Sequence, residues 1–556
     1  MADPQANISD AQGPLPLQCA GGADAPGGAP GTPGGRPAES AQARIAHSIV
    51  RIHAYAREYN LLRPFQQTGI GKGVGSGVII DPSLMGSMRT EGALYILTCE
   101  HVVRNSHEVM LVFPMHGREE HPARLRALCM ETDLALIECM PDSRLDHTGL
   151  APLQLGSSDD LQAGDRVRAF GFPLGQNALK VTDGVYSGYQ DSFLQHSSPI
   201  SKGNSGGPLL NEKHEVVGVN SSGAAQANNV GYAVPERMVR VLFRDMSVMP
   251  APPAQQPYVV RRYSLGLHVH STTPATLRYR GAEGCAQAGG GVQVRFIYDK
   301  SPLKEHVKDG DLIVGIDGKG IDYKGDVCVP WNRQKVDLFD YLDRKSNADA
   351  LDVQVWAGGA CRVVRARQAQ VKVHGRRYLA LPYEIDQLEY VLFAGLVVMP
   401  LRANHEEFFP VVFAELGLER SQRPHLVLTD VIPGTMAYKA EVLRPGKLVK
   451  RVNGHPVSTM EELRAALRRP VRRRGGWYFT LQTHKNRRVV FPLPDIIDEQ
   501  VAKTRGPHAL WPADLPQNTG VFRDMLAHVR QQQSSNNTPS SGASILSSPE
   551  GIDIAP

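Results

Sequence analysis

The stretch SKGNSGGPLL, residues 201–210, packs three glycines, an asparagine and a proline around Ser205 before it runs into an apolar segment. Glycine weakens regular structure, so such a cluster marks a backbone that must approach something closely. A serine hydroxyl is a weak nucleophile at neutral pH. It needs a general base, a third group that orients the base, and donors for the oxyanion that develops on the attacked carbonyl. Both side-chain partners lie upstream: His101 follows the apolar run LYILT, and Asp133 stands before LALIE. Gly203 and Ser205 can turn their N–H groups toward one point, with Asn204 between them. The glycines are therefore read as making room for a peptide carbonyl.

Three side chains far apart in sequence meet only if a rigid frame brings them together. From Ser48 onward short β-branched runs recur with turn residues between them, among them SIVRIHAY, GSGVII, LYILT, LALIEC, RVRAFGF, EVVGVNS and VGYAVP. This even spacing predicts antiparallel barrels or a sandwich, not alternating strands and helices. VPERMVRVLFRDM has helical periodicity and reads as a closing helix. A proline-rich linker follows at 247–258. Beyond it one small β-rich module is read twice, in residues 294–321 and 428–457. Each copy has a Gly turn, at Gly310 or Gly446, and a hairpin dipeptide, Asp317-Gly318 or Asn453-Gly454.

A chain of 556 residues is too long for one core and predicts several folded units. No apolar run is long enough to span a bilayer. The 61 basic and 56 acidic side chains leave a net charge of +5, too small an imbalance to argue for a nucleic-acid partner. The dense basic run RRPVRRR, residues 468–474, reads as a solvated face or loop, the alternative being a nuclear-targeting or polyanion-binding patch. Seven cysteines without CxxC pairs indicate neither a zinc site nor a disulfide framework. With no secretory signal visible, a reducing cytoplasmic or nuclear compartment is the expectation. Residues 1–43 and 531–556 are Gly, Pro, Ser and Gln-rich and predict disordered tails. Cys99, two residues before His101, reads as a small apolar filler. GIGKGVGSG lacks the ending of a phosphate-binding loop, and His53, His107 and His116 have no metal-ligand spacing.

The order His, Asp, Ser is that of chymotrypsin-like proteases, whereas α/β-hydrolases and subtilisins use other orders. With GSGVII (75–80), LTCEHVV (97–103), TDLALIE (132–138), FGFPLG (170–175), VTDGVYSG (181–188), PISKGNSGGPL (199–209) and VGYAVP (230–235), the chain resembles the HtrA/Deg family of serine proteases. REYNLLRPFQ and LEYVLFAGLVVMPL resemble the plant-type members in particular.

The resemblance implies a mainly β protein: a chymotrypsin-like double β-barrel protease domain at 44–246, then two small α+β PDZ-like domains at 259–372 and 373–500, with an extension at 501–530. It implies an ATP-independent serine endopeptidase that acts on unfolded or damaged proteins, the alternative being a chaperone-like scaffold with little turnover. His101, Asp133 and Ser205 become the triad, and Gly203, Asn204 and Ser205 the oxyanion loop. Pro199, Ile200, Gly218, Val219 and Asn220 become the substrate-binding residues, and small aliphatic P1 residues are expected. Leu265, Gly266 and Leu267, with Ala394, Gly395 and Leu396, look like carboxylate-binding loops whose following strands pair with a peptide. No metal or organic cofactor is required, and a homotrimer is implied. Two departures stand out. His196 and Ser197 replace the family's usual Thr-Asp pair, and an extra stretch, DYKGDVCVPWNR, is expected to cover or reshape the first peptide groove.

Overall fold

The computed structural model describes residues 41–504 and 527, apart from 141–144, 146, 148, 224–228, 254–255, 286–289, 299–300, 368–387 and 421–422. The two expected tails and most of the 501–530 extension lie outside the described residues.

After a short helix α1 (Ala41–His47), six strands form the first barrel: β1 (Ile49–Tyr59), β2 (Gln67–Ile80), β3 (Leu94–Thr98), β4 (Ser106–Val112), β5 (His121–Cys129) and β6 (Leu134–Cys139). They pair in the order β5-β4-β1-β2-β3-β6, and β6 closes back on β5. One turn of helix, α2 (Glu100–Val103), follows β3. The second barrel is a closed ring, β10-β11-β12-β9-β8-β7, made of β7 (Arg166–Gly171), β8 (Lys180–Gln190), β9 (Phe193–His196), β10 (Pro208–Leu210), β11 (Val216–Gly223) and β12 (Gly231–Pro235).

LYIL and LALI are apolar throughout because both faces of their strands are buried. Ile96, Ala135 and Ile137 fill the first barrel. Their neighbours Leu97, Leu134 and Leu136 face the seam between barrels, where they join Phe170, Phe172, Val219 and Val234 of the second. Helix α3 (Glu236–Val248) closes that seam with Met238, Val239, Leu242, Phe243 and Met246, the spacing of one helical face. The proline-rich linker ends on the first barrel: β13 (Tyr258–Val259) pairs parallel to β5.

The first module after the linker is the sheet β14-β15-β16-β20-β21, from β14 (Leu267–Ser271), β15 (Val292–Ile297), β16 (Leu312–Ile316), β20 (Ala350–Ala357) and β21 (Ala360–Arg367). The short β17 (Lys319–Gly320) pairs with β16, and β18 (Asp326–Val329) with β19 (Asn332–Asp337) forms a separate hairpin. Helices α4 (Pro274–Arg280) and α5 (Leu338–Asp343) accompany it. The second module has the order β22-β23-β24-β25-β28-β27. Its strands are β22 (Val391–Phe393), β23 (Leu396–Pro400), β24 (Leu426–Val431), β25 (Leu448–Val452), β26 (His455–Pro456), β27 (Val471–Arg473), β28 (Gly476–Thr483) and β29 (Arg488–Pro492), where β26 pairs with β25 and β29 with β28. Helices α6 (Pro410–Arg420), α7 (Met436–Lys439), α8 (Met460–Leu467) and α9 (Leu493–Thr504) pack with it.

The internal repeat has a hydrogen-bond signature. Gly310 N–H donates to Val294 O, and Gly446 N–H to Leu428 O, both over 2.7 Å. Asp317-Gly318 and Asn453-Gly454 are two-residue turns with positive φ at all four positions. The basic run supplies the exposed edge strand β27, as expected of a solvated face.

One expectation is corrected and another is extended. Cys285 and Cys361 form a disulfide, with Cα atoms 5.7 Å apart across 76 residues of sequence. Local spacing carries no trace of such a pair, because Cys285 lies in the turn after α4 and Cys361 on β21, and only the packing of that turn against the sheet brings them together. The extra stretch does not simply cover a peptide groove. Its β18–β19 hairpin reaches the second barrel, where Trp331 meets the Tyr189 ring at 5.5 Å and the Arg344 guanidinium lies 3.4 Å over Trp331. Arg344 also pairs with Asp159 at 2.7 Å.

Candidate active site

β3 and β6 are neighbours in register, Thr98 opposite Ala135, so the residue after one strand and the residue before the other emerge at the same end. His101 lies in α2, and Asp133 takes a left-handed turn conformation (φ 55°) just ahead of β6. His101 Nδ1 is 2.8 Å from Asp133 Oδ2, and the His101 backbone N–H donates to Oδ1 at 3.0 Å. Ser221, on β11 of the other barrel, donates its hydroxyl to Oδ2 at 2.6 Å. Burial alone would raise the Asp133 carboxyl. The hydrogen bond and charge of His101, then the Ser221 hydroxyl, outweigh it and hold the group below its ordinary value.

Cys99 has its sulfur within 4.8 Å of the His101 and Asp133 ligand atoms. Its thiol is pushed well above the ordinary range by burial and by the Asp133 charge, and it donates to Asn220 O at 3.2 Å. A protonated thiol of this kind is a packing group that ties one barrel to the other.

Ser205 occupies the loop between β9 and β10, pressed between the barrels. Its carbonyl accepts from Ser76 N–H at 2.9 Å, and the Gly206 N–H donates to Asn220 O at 2.7 Å. The loop glycines have a more specific role than the sequence suggested. A Cβ at Gly203 would lie 2.2 Å from Phe172 O, one at Gly206 2.2 Å from Ser76 O, and one at Gly207 2.0 Å from Phe170 O. What crowds them is the protein's own backbone, and this close docking fixes where the remaining amides point. Leu174 N–H donates to Lys202 O at 2.6 Å, which orients the planar 202–203 peptide. Ser76 Oγ donates to Gly203 O at 2.6 Å and accepts from Phe172 N–H at 3.0 Å. The Gly203 and Ser205 amides are left without acceptors among the described residues, as an oxyanion hole requires. Asn204 differs: its N–H is committed to Ser201 O at 3.0 Å, so it shapes the loop and is not a donor to the hole.

The Ser205 hydroxyl donates to the Ser221 carbonyl at 2.8 Å, and among the described residues it makes no hydrogen bond to His101. The constellation is thus assembled with the nucleophile turned toward β11.

Of the substrate-binding residues expected from the sequence, Ile200 and Pro199 lie beside the loop. Pro199 is exposed, with its carbonyl held by Thr182 Oγ1 at 3.1 Å. Gly218, Val219 and Asn220 lie deeper. They are buried inside β11 and paired with β10 or β12, and Asn220 Nδ2 is tied to Pro208 O at 3.1 Å. The strand reaches open space only at Ser222 and Gly223. Ser221 and Ser76 were missed in the sequence. The only signal was a serine at the end of each of two strand-like runs, EVVGVNS and GSGVII.

In the repeated modules, Leu265 O accepts from Ser301 Oγ at 2.7 Å and Gly266 O from Tyr298 N–H at 2.9 Å, while Leu267 opens β14. Gly395 O likewise accepts from Ile432 N–H at 2.8 Å. The two loops then diverge. Among the described residues β14 has one neighbour, β15, and leaves an edge for an added strand. Ala394 and Gly395 form a tight turn that folds β22 back onto Leu396 and the rest of β23, so the edge expected to take a peptide is already occupied in cis.

A family model described as a trypsin-like peptidase domain matches residues 75–219. "Putative protease Do-like 13" of Arabidopsis thaliana is 26% identical over 375 residues, 65% of this chain and 70% of that protein. "Serine protease Do-like HtrA" of Bacillus subtilis (strain 168) is 30% identical over 268 residues, 45% of this chain and 55% of that protein. "Probable periplasmic serine endoprotease DegP-like" of Chlamydia pneumoniae is 26% identical, with 67% and 69% covered. Among solved structures, "HtrA-type protease AlgW with tripeptide" aligns at 22% identity and a TM-score of 0.42, over 60% of this chain and 97% of that one.

Proposed function

The chain belongs to the HtrA/Deg family of serine endopeptidases, and we propose that it hydrolyses unfolded or damaged polypeptides without ATP through Ser205, His101 and Asp133. The observation that carries this reading is the chain of contacts from His101 through Asp133 and Ser221 to Ser205, beside two acceptor-free amides. Ser205 leaves the Ser221 carbonyl by rotation about its Cα–Cβ bond and gives its proton to His101 as it attacks the peptide carbonyl. Asp133 holds the imidazole with Nδ1–H toward itself and Nε2 free to act as base. The Gly203 and Ser205 amides receive the oxyanion. His101 then protonates the leaving amine, and water hydrolyses the acyl-enzyme by the same route in reverse. The Ser205–Ser221 bond makes this a resting arrangement that substrate must reset.

The β14 edge beyond Gly266 fits capture of an extended peptide by strand addition, as in a PDZ domain. The β22 strand makes the second module a fixed structural partner instead. A homotrimer remains part of the proposal, and a monomer in analytical ultracentrifugation at working concentration would remove it.

The test is degradation of an unfolded model protein by the wild type and by Ser205→Ala, with the fragments read by mass spectrometry. Cleavage by the wild type alone is expected. Equal cleavage by the two proteins, or wild-type Ser205 that neither cleaves nor reacts with a fluorophosphonate, would overturn the reading.

A further inference from the structure

β2 is 14 residues long and contains the motif GIGKGVGSG, yet only residues 78–80 at its inner end pair with β3. Its other side pairs with β1, in a register unbroken between residues 70 and 78. Successive residues of a strand turn their N–H and C=O groups to opposite edges. Ser76 faces away from β1: its N–H donates to Ser205 O at 2.9 Å, and its carbonyl accepts from Thr98 Oγ1 at 2.7 Å. By the same alternation Val74, Lys72 and Ile70 present their N–H and C=O groups to that edge. Among the described residues none of these backbone groups has a partner.

A long strand edge is ordinarily covered or blunted, because it is a template for another strand. This one is bare. Ile70 is 57% exposed, Gly69, Gly71, Lys72 and Gly73 are exposed, and a Cβ at Gly69 or Gly71 would meet nothing within 4 Å. The glycines keep one face of the edge free of side chains, so a strand added there could carry residues of any size. The Lys72 ammonium is drawn aside to Glu120 at 3.1 Å. The far end of the hairpin is held, since Phe65 packs with Leu392, Val397 and Ile432 of the second module and Arg63 pairs with Asp430.

The chemistry at Ser205 says which half of a substrate meets this edge. His101 must give its proton to the leaving amine, so the departing half lies toward the barrel that carries His101. β2 belongs to that barrel and passes beside α2, where a Cβ at Gly75 would lie 2.4 Å from Val102. Strands rise about 3.3 Å per residue, so with the scissile bond over Ser205 and beside Ser76, the second, fourth and sixth residues after it come level with Val74, Lys72 and Ile70. The departing half runs outward and β2 runs inward, so the two are antiparallel.

We propose that the β2 edge at Lys72 and Ile70 is a binding track for the departing half of the substrate, which adds to the sheet as an antiparallel strand for about six residues past the scissile bond. The proposal rests on the endopeptidase reading and deepens it: the substrate is an extended, unfolded segment, held there through its main chain and not by its side chains.

Peptides identical up to the scissile bond and continued for two, four, six or eight residues beyond it are compared by kcat/KM. A rise of about 10-fold or more from two to six residues, level thereafter, is expected from the added main-chain pairs. N-methylation of the fourth residue, whose amide faces Lys72, should remove most of the rise. N-methylation of the fifth, whose amide faces away, should not. Lys72→Pro deletes the edge donor and should flatten the series. A wild-type rate independent of length, or a rise indifferent to which amide is methylated, overturns the proposal whether or not the variant folds. So does a rise that persists in a Lys72→Pro protein still labelled at Ser205 by a fluorophosphonate; if that protein also sediments differently, the edge belongs to a second copy of the chain. Ser205→Ala separates the two levels: cleavage that it abolishes establishes the peptidase independently of peptide length. If the wild type cleaves none of the peptides, the endopeptidase reading fails, and equal affinity of the shortest and longest peptides for Ser205→Ala then overturns the track as well.

Discussion

The Ser205 hydroxyl donates to the Ser221 carbonyl over 2.8 Å, and the Ser221 hydroxyl donates to Asp133 over 2.6 Å. A single residue on β11 therefore touches Ser205 with its backbone and Asp133 with its side chain.

Ser221→Ala separates those two contacts, since it keeps the carbonyl and deletes the hydroxyl. Loss of one hydrogen bond to a charged group, about 1.5–3 kcal/mol, predicts a fall in kcat of roughly 10-fold or more with Ser205 still reactive. The Asp133 carboxyl, held low in the fold, contributes stability that is present above its ordinary value of 3.8 and lost as pH falls through the lower folded value. Without the Ser221 donor the stabilisation is smaller and its loss is complete at higher pH, so the protein reaches its acid midpoint sooner. Acid unfolding followed by circular dichroism reads the shift, and an unchanged acid midpoint would contradict it.

Asp133→Asn preserves the shape of the site but no longer holds the imidazole in the tautomer that leaves Nε2 as a base. A drop in kcat of about 10⁴-fold is expected, with thermal stability close to that of the wild type. Retention of even a tenth of the activity would remove Asp133 from the mechanism.

Ser76→Ala leaves the buried Gly203 carbonyl and the Phe172 amide without the partner they share at 2.6 and 3.0 Å. We expect about 1–3 kcal/mol less stability and a rate loss approaching the roughly 10²-fold of a missing oxyanion donor, because the Gly203 peptide is freed to turn. Stopped-flow acylation against chemical denaturation compares the two effects. A stability loss with unchanged acylation would make Ser76 structural only.

Asp245 is buried where α3 meets the first module and accepts from Ser346 Oγ and Asn347 N–H, each at 2.6 Å, and from Asn347 Nδ2 at 2.9 Å. Burial raises its carboxyl from 3.8 to about 6. Between those values the folded protein holds a proton that the unfolded chain has released, so this group's share of stability falls as pH rises from 4 to 6 and is level above. The change is about 3 kcal/mol at most. Asp245→Asn should flatten that segment of the stability profile, and an unaltered slope between pH 4 and 6 would refute the assignment.

The proposed triad was legible because His101 and Asp133 flank apolar strand runs and Ser205 sits in a glycine-rich loop just ahead of another. The chain order His101, Asp133, Ser205 then leaves few folds able to bring the three together. The repeat was legible for a related reason: Asp317-Gly318 and Asn453-Gly454 need positive φ, and that need is written in residue type. The glycines around Ser205 were seen, but their purpose was misread. A sequence shows that a Cβ is missing without showing whose atoms fill the space.

By itself, the sequence determined the strand content, the two-residue turns, the order of the catalytic groups and the composition of the nucleophile loop, all properties of residue type and short spacing. Tertiary structure alone decided the rest. Pairing of β12 with β11 and β9 placed His196 under Gly231, the return of β22 onto β23 closed an edge that looked open, and packing of the turn after α4 against the first module's sheet joined Cys285 to Cys361. Docking of one barrel on the other brought Ser76 and Ser221 to the loop. In each case the deciding contact joins segments distant along the chain, and its energy comes from burial and hydrogen bonds that exist only once the barrels and sheets have closed.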